Sequence, residues 1–509
     1  MLSRIFSASI LGIDAHLIEV EVDISTRGLP HFNMVGLPDA AVKEARDRVK
    51  AALKNIGFNF PLKPITVNLA PADLKKEGSA FDLPIAIGLS ECEGAVPMDS
   101  ARKYLLTGEL SLDGRVKPIR GALCVAMLAK KLGLGLILPS ENSREAAVVQ
   151  GLEVLAVSTL REVIEMLGGR GTIAPVELDI GSLVSEANRY DVCFSEVKGQ
   201  ELAKRALEVA SAGGHNVLMI GPPGSGKTML TRRLHTIMPP VTFEESIETT
   251  RVHSVAGLLR GGEALISGRP FRSPHHTISD VALIGGGQVP RPGEVSLAHN
   301  GVLFLDELPE FKRAVLEVLR QPLEAGEVTV SRAVASITYP ANFMLVAAMN
   351  PCPCGYYGDG RHQCTCTAGL IHRYRSRVSG PLMDRFDIHI EVPAVAYRDL
   401  SSEHSGESSG TISERVVRAR KTQLERFNKD KGIYSNSRMR SRHIKKFCRP
   451  TAEAESLLET AMKKLGLSAR AYTRILKLAR TISDLEGLEE IGAAQVSEAI
   501  QYRALDRGI

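Results

Sequence analysis

Apolar positions recur along this chain in two rhythms. Up to about residue 170, short runs such as Leu17–Ile24 and Ile65–Leu69 read as strands, and Asp39–Ile56 carries apolar residues at helical spacing with Arg and Lys outward. Ser79 and Asp82 have the spacing of a capping box, which predicts a helix running on through Ile85, Ile87 and Leu89. Residues 171–189 are weakly patterned and read as a linker. Over 190–398 the order is helix, strand, glycine-rich turn, helix, then further strands and helices, an α/β core of the nucleotide-binding type. Residues 399–412, with the small polar run 401–410, read as a flexible linker, and 413–509 as nearly all helix.

Composition adds three constraints. With 44% hydrophobic and 24% charged residues, the 509-residue chain folds rather than staying disordered. A net charge of +5 is too small to announce a nucleic-acid partner, but it is unevenly spread: residues 414–449 hold thirteen Lys and Arg against three acids. No run approaches the roughly 18 apolar residues of a membrane helix, and Met1–Asp14 has a broken apolar run with one Arg, so a soluble cytoplasmic protein is expected.

The chemistry lies in 190–398. Val217–Ile220 is an apolar strand followed at once by Gly221, Pro222, Pro223, Gly224, Ser225, Gly226, Lys227 and Thr228. This is G-x-x-x-x-G-K-T in the strand–loop–helix setting where backbone N–H groups curl around phosphates; Lys227 reaches the β- and γ-phosphates and Thr228 a Mg²⁺ ion. A second apolar strand from Val302 ends in Asp306 and Glu307, suited to the Mg²⁺ shell and to polarising the attacking water. A third, Phe343–Met349, ends at Asn350, whose amide can hold that water.

The order of these strand ends resembles the AAA+ ATPases. The resemblance implies ATP and Mg²⁺ as ligands, an arginine finger at Arg385 inserted into a neighbouring subunit, and a sensor-2 arginine at Arg470, with Arg474 as the alternative. The segment 271–287 and the hairpin-like 321–339 match the helix-2 insert and pre-sensor-1 hairpin of the branch containing magnesium chelatase and the MCM helicases. Within it, Ser273-Pro-His-His, Pro292-Gly-Glu-Val, Leu303-Phe-Leu-Asp-Glu-Leu-Pro-Glu-Phe and Asn350-Pro-Cys-Pro-Cys-Gly resemble the ComM/YifB family. This implies a homohexameric DNA helicase promoting branch migration during natural transformation, on single-stranded or branched DNA and alongside recombination proteins. Chelatase-type and unfoldase motors that remodel a protein partner are the alternatives. In such a ring the inserts line the pore, which makes His275, His276 and Arg332 the DNA candidates.

Residues 1–170 resemble the Lon protease domain, an α+β fold of the ribosomal S5 domain 2 type, through 75–82 and 107–121. Lon's Ser–Lys dyad is not reproduced, because Leu123 stands where that family has lysine. A Lon-like fold without protease chemistry is the expectation.

Of eight cysteines, Cys352, Cys354, Cys364 and Cys366 cluster within fifteen residues, and four thiolates suit a structural tetrahedral Zn²⁺. His362 or His372 is an alternative for one ligand.

Overall fold

The computed structural model describes residues 1–179, 192–259, 262–287, 290–331, 336–395, 406–430 and 432–503. Arg332, residues 180–189 of the first linker and 399–405 of the second lie outside them. The chain forms two compact units: 1–187 with 246–267, and 188–245 with 268–509. Ser246–Ser267, which falls inside the span expected to be the α/β core, belongs with the first unit.

The first unit is built on a seven-stranded mixed sheet. In spatial order its strands are Phe32–Val35, Ile65–Ala70, Asp14–Ile24, Leu2–Leu11, Tyr104–Leu106, Gly135–Pro139 and Val154–Val157. Leu2–Leu11 and Asp14–Ile24 form an antiparallel pair, and Val20, Val22, Val67 and Leu69 alternate inward against the buried helix Asp82–Cys92. The stretch expected as one helix from Asp39 is two, Ala40–Lys43 and Ala45–Asn55, abutting at Glu44; Asp39 caps the first by accepting from Val42 N–H at 2.8 Å.

The predicted capping box at Ser79 does not form. The helix begins at Asp82, and the Ser79 hydroxyl turns to Glu109 instead. Asp82 is fully buried, where it receives Arg48 in a bidentate pair (2.6 and 3.0 Å) and the Leu110 N–H. A buried ion pair outcompetes an exposed cap for that carboxylate.

The second unit holds a five-stranded parallel sheet in the order Phe271–Arg272, Val302–Leu305, Met344–Met349, Val217–Ile220 and Ile388–Glu391. Strands covered on both faces are apolar throughout, as in Val217-Leu-Met-Ile220, where every residue is buried. Helices Glu201–Gly213, Ser409–Arg426 and Ala469–Glu486 share one core with it: Val209 and Ala212 pack in the same cluster as Val416, Ile475 and Ile482. The helix after the second linker starts earlier than its periodicity indicates, at Ser409, because Ser408 caps it from outside. Among the described residues no helix is long and apolar enough to cross a membrane.

Candidate nucleotide site and thiolate cluster

All the strands that carry site residues run parallel, so the residues just beyond their C-terminal ends gather at one edge of the sheet. There Gly224 and Gly226 take φ of +75° and +91°, which only glycine adopts without strain, and no heavy atom lies within 4 Å of where their side chains would stand. The result is an open cradle of backbone leading into the helix Lys227–Arg233. Lys227 is buried inside it: its Nζ donates to the carbonyls of Gly221 (2.7 Å) and Pro222 (2.9 Å) and lies 3.4 Å from Asn350 Oδ1. Burial lowers its pKa from 10.5 to about 8. Thr228 Oγ1 donates to Asp306 Oδ2 at 2.8 Å, so the two expected Mg²⁺ ligands are already adjacent. The cradle and this oxygen pair fit a nucleotide triphosphate with its Mg²⁺.

Glu307 stands beside them, exposed, with φ of +53°. A non-glycine residue there is strained. Its partner is His276, whose Nδ1 is 3.3 Å from Glu307 Oε2 while its ring packs edge-on against Phe311. His275 stacks on His276 at 4.1 Å between centroids and engages Thr277. Of the three residues expected to meet DNA, His276 is thus placed at the acidic strand end, His275 is exposed beside it, and Arg332 lies outside the described residues.

The arginines occupy the opposite edge. Asn216, Phe343 and Asp387 precede their strands, and with Arg385, Arg470 and Arg474 they line one cavity of 520 Å³. Arg385 pairs with Glu324 and donates to Pro381 O at 2.9 Å, and its own carbonyl accepts from Asn216 Nδ2. Arg470 is 64% exposed and 3.6 Å from Asp384; Arg474, 17% exposed, is 3.6 Å from Asp387 and donates to Phe386 O at 2.7 Å. Against the upward push of burial, Arg474, His215 and Lys477 hold the Asp387 carboxyl below its ordinary range. Arg438, Arg440 and Lys477 also line this cavity, so six cations face two acids, Glu324 and Asp387. Arg438 and Arg440 fall in the basic run 414–449, but the sequence offered no sign of Lys477 or Glu324, whose places depend on tertiary packing.

The four clustered cysteines converge. Their Sγ atoms lie within 4.8 Å of one another, with Cys352–Cys354 at 3.4 Å and Cys364 at 3.7 Å from both. Tetrahedral Zn–S bonds of about 2.3 Å place sulfurs about 3.8 Å apart, whereas a disulfide needs about 2.05 Å. Backbone N–H groups of Tyr356 and Thr365 hold the Cys354 thiol down to about 6, whereas burial and the neighbouring sulfurs push Cys364 and Cys366 up, so the convergence of the four sulfurs, not their titration, points to a metal. His362 pairs with Asp359 at 2.8 Å, outside the sulfur set, and His372 lies on the following helix, Ala368–Arg375.

Comparison with known proteins agrees with this arrangement. Residues 193–400 match the family model described as magnesium chelatase, subunit ChlI; residues 20–142 match a model described as subunit ChlI of Mg-chelatase, and 406–503 its C-terminal part. The chain is 45% identical over 508 residues to the uncharacterised protein YifB of Escherichia coli, covering 99% of this chain and 98% of that one. It is 44% identical over 511 residues, with the same coverage, to the competence protein ComM of Haemophilus influenzae. Similarity to the magnesium-chelatase 38 kDa subunit of Rhodobacter capsulatus is lower, 27% over 218 residues and 39% of this chain. The chain belongs to the ComM/YifB family of magnesium-chelatase-like proteins.

Proposed function

We propose that this protein is an ATP-driven DNA motor of the cytoplasm, assembled as a ring whose ATP sites are each completed by the neighbouring copy. The observation that carries this reading is the division of the site between opposite edges of one parallel sheet. Lys227, Thr228, Asp306, Glu307 and Asn350 come after their strands, whereas Arg385, Arg470 and Arg474 cluster before them. A four-residue strand spans about 13 Å, so these arginines do not reach their own phosphate loop. A second copy presenting its arginine edge supplies them.

In that arrangement the backbone of 221–228 and Lys227 hold the phosphates. Thr228 and Asp306 would hold Mg²⁺, which neutralises charge on the β- and γ-phosphates. Glu307 takes the proton of the attacking water, and Asn350 orients that water beside Lys227. Arg385 from the neighbour stabilises charge on the transferring phosphoryl group, an effect worth about 10³–10⁵ in rate in related chemistry. The four cysteines would hold a structural Zn²⁺.

DNA as the substrate is supported by the full-length similarity to a competence protein and by exposed basic residues, including Arg418, Lys421, Lys445 and Lys446 on the helical part. In this role the protein drives branch migration of recombination intermediates. The test is ATP turnover with and without single-stranded, three-way and four-way DNA, together with strand displacement on the branched substrates. Turnover stimulated by DNA, abolished in Glu307→Gln with nucleotide binding retained, is the expected result. Turnover indifferent to DNA but stimulated by a folded protein would favour a remodelling motor instead.

A further inference from the structure

The segment 351–367 contains no strand or helix, and apart from Cys352, Pro351 and Gly355 its residues are partly or fully exposed. An apolar core therefore does not order it, yet it is packed against the nucleotide site at both ends. Gly355 has φ of +89°, and a side chain there would stand 2.6 and 2.7 Å from the Cδ and Cγ of Pro223, the third residue of the phosphate loop. The Gly355 backbone lies so close to the Pro223 ring that a side chain does not fit between them. At the other end, Pro351 succeeds Asn350 directly, and its carbonyl accepts from Arg375 Nε at 3.1 Å. The helix Ala368–Arg375 begins two residues after Cys366 and carries the buried Tyr374.

The four sulfurs are the cross-link that closes this segment. Cys352 belongs to the strand end, Cys354 to the turn that seats Gly355 (whose N–H donates to Cys352 O at 3.0 Å), and Cys364 and Cys366 to the entry of the helix. Four sulfurs brought this close converge on a single point, and a divalent cation held there would become the dominant local stabilisation. We propose that Cys352, Cys354, Cys364 and Cys366 bind one Zn²⁺ that braces the phosphate loop through Gly355 and Pro223 and fixes Asn350, so that nucleotide affinity depends on the metal. The inference rests on reading 221–228 as an ATP site.

The experiment uses the full chain, with zinc measured by elemental analysis and by mercurial-driven release, and with binding of a fluorescent ATP analogue followed by titration. One zinc per chain is expected, lost in Cys364→Ser/Cys366→Ser. Analogue affinity should fall at least tenfold in that variant and in chelator-stripped protein, and return when Zn²⁺ is restored. Gly355→Val is the second variant: it keeps its zinc yet also binds the analogue at least tenfold more weakly, since its side chain displaces Pro223. Lys227→Ala separates the two readings, losing analogue binding with zinc intact. If Lys227→Ala binds as tightly as the native chain, the ATP reading fails whatever the metal content. Protein purified without zinc, or zinc-free protein binding the analogue with unchanged affinity, overturns the brace.

Discussion

Lys227 is the residue whose burial sets a measurable pH limit on the site. Its amine is held among loop carbonyls with its pKa lowered to about 8, so it carries its charge at pH 7 and has lost most of it by pH 9. Bound phosphates favour the charged form, so above pH 8 nucleotide binding must take up a proton. Affinity for ATP should therefore be level below about pH 7.5 and fall by up to tenfold per pH unit above 8. Titrations between pH 6.5 and 9.5 check this, and Lys227→Gln should bind weakly with no such slope. A flat profile in the native chain would show that Lys227 does not meet the phosphates as a cation. Glu307 makes a related point. Its left-handed backbone and its contact with His276 put the insert of the core in touch with the group proposed to activate water. Through this contact His276 stands beside the proposed ATP chemistry, where the family resemblance had pointed to the pore.

At the scale of elements, the basic stretch 414–449 divides its cations among internal pairs, the arginine-lined cavity (Arg438 and Arg440) and the surface. Arg415 is consumed by Glu208 and Glu407, Arg420 by the carbonyls of Ser211 and Tyr434, and Arg426 by Asp484. Arg418, Lys421, Lys429, Lys445, Lys446 and Arg449 remain on the surface. The buried set is structural. Asp484, wholly buried, accepts from both Arg426 nitrogens (2.8 and 2.6 Å), from Arg480 Nε (3.0 Å) and from Asn436 Nδ2 (2.8 Å), joining the helices Ser409–Arg426 and Ala469–Glu486. Asp484→Ala leaves two buried guanidinium groups unmatched and should cost about 3–5 kcal/mol. Lys463→Ala, which removes an exposed pair with Glu459, should cost less than about 0.5 kcal/mol. Denaturant midpoints compare the two, and equal losses would overturn the ranking. The same contrast explains what the sequence made legible. The phosphate loop, the acidic strand end and the cysteine cluster are contiguous or nearly so, and their chemistry depends on spacing along the chain. Pairings such as Ser79 with Glu109, Asp82 with Arg48, and Arg385 with Glu324 join residues 30 to 61 positions apart, which only packing brings together. Local rules assigned Ser79 and Asp82 to a cap, and the tertiary ion pair prevailed.

At the scale of the whole molecule, a site divided between two sheet edges makes a prediction that no single-chain site shares. In the proposed ring, each active site would take Lys227, Asp306 and Glu307 from one subunit and Arg385 from the next. Glu307→Gln destroys the first half and leaves the second intact, whereas Arg385→Ala does the reverse. Arg385 is buried beside Glu324, so its variant must first be shown to bind a fluorescent ATP analogue as the native chain does. Each variant alone should turn over ATP at least a thousandfold more slowly than the native protein. Mixed and allowed to reassemble, they form interfaces in which an Arg385→Ala subunit offers an intact Glu307 to a Glu307→Gln subunit offering an intact Arg385. Those interfaces are complete. In a randomly mixed ring about one interface in four is of this kind, so turnover should recover to roughly a quarter of the native rate, provided neighbouring sites act independently. If Arg385 served its own phosphate loop, every site in every mixture would lack one group, and no ratio of the two variants would restore turnover.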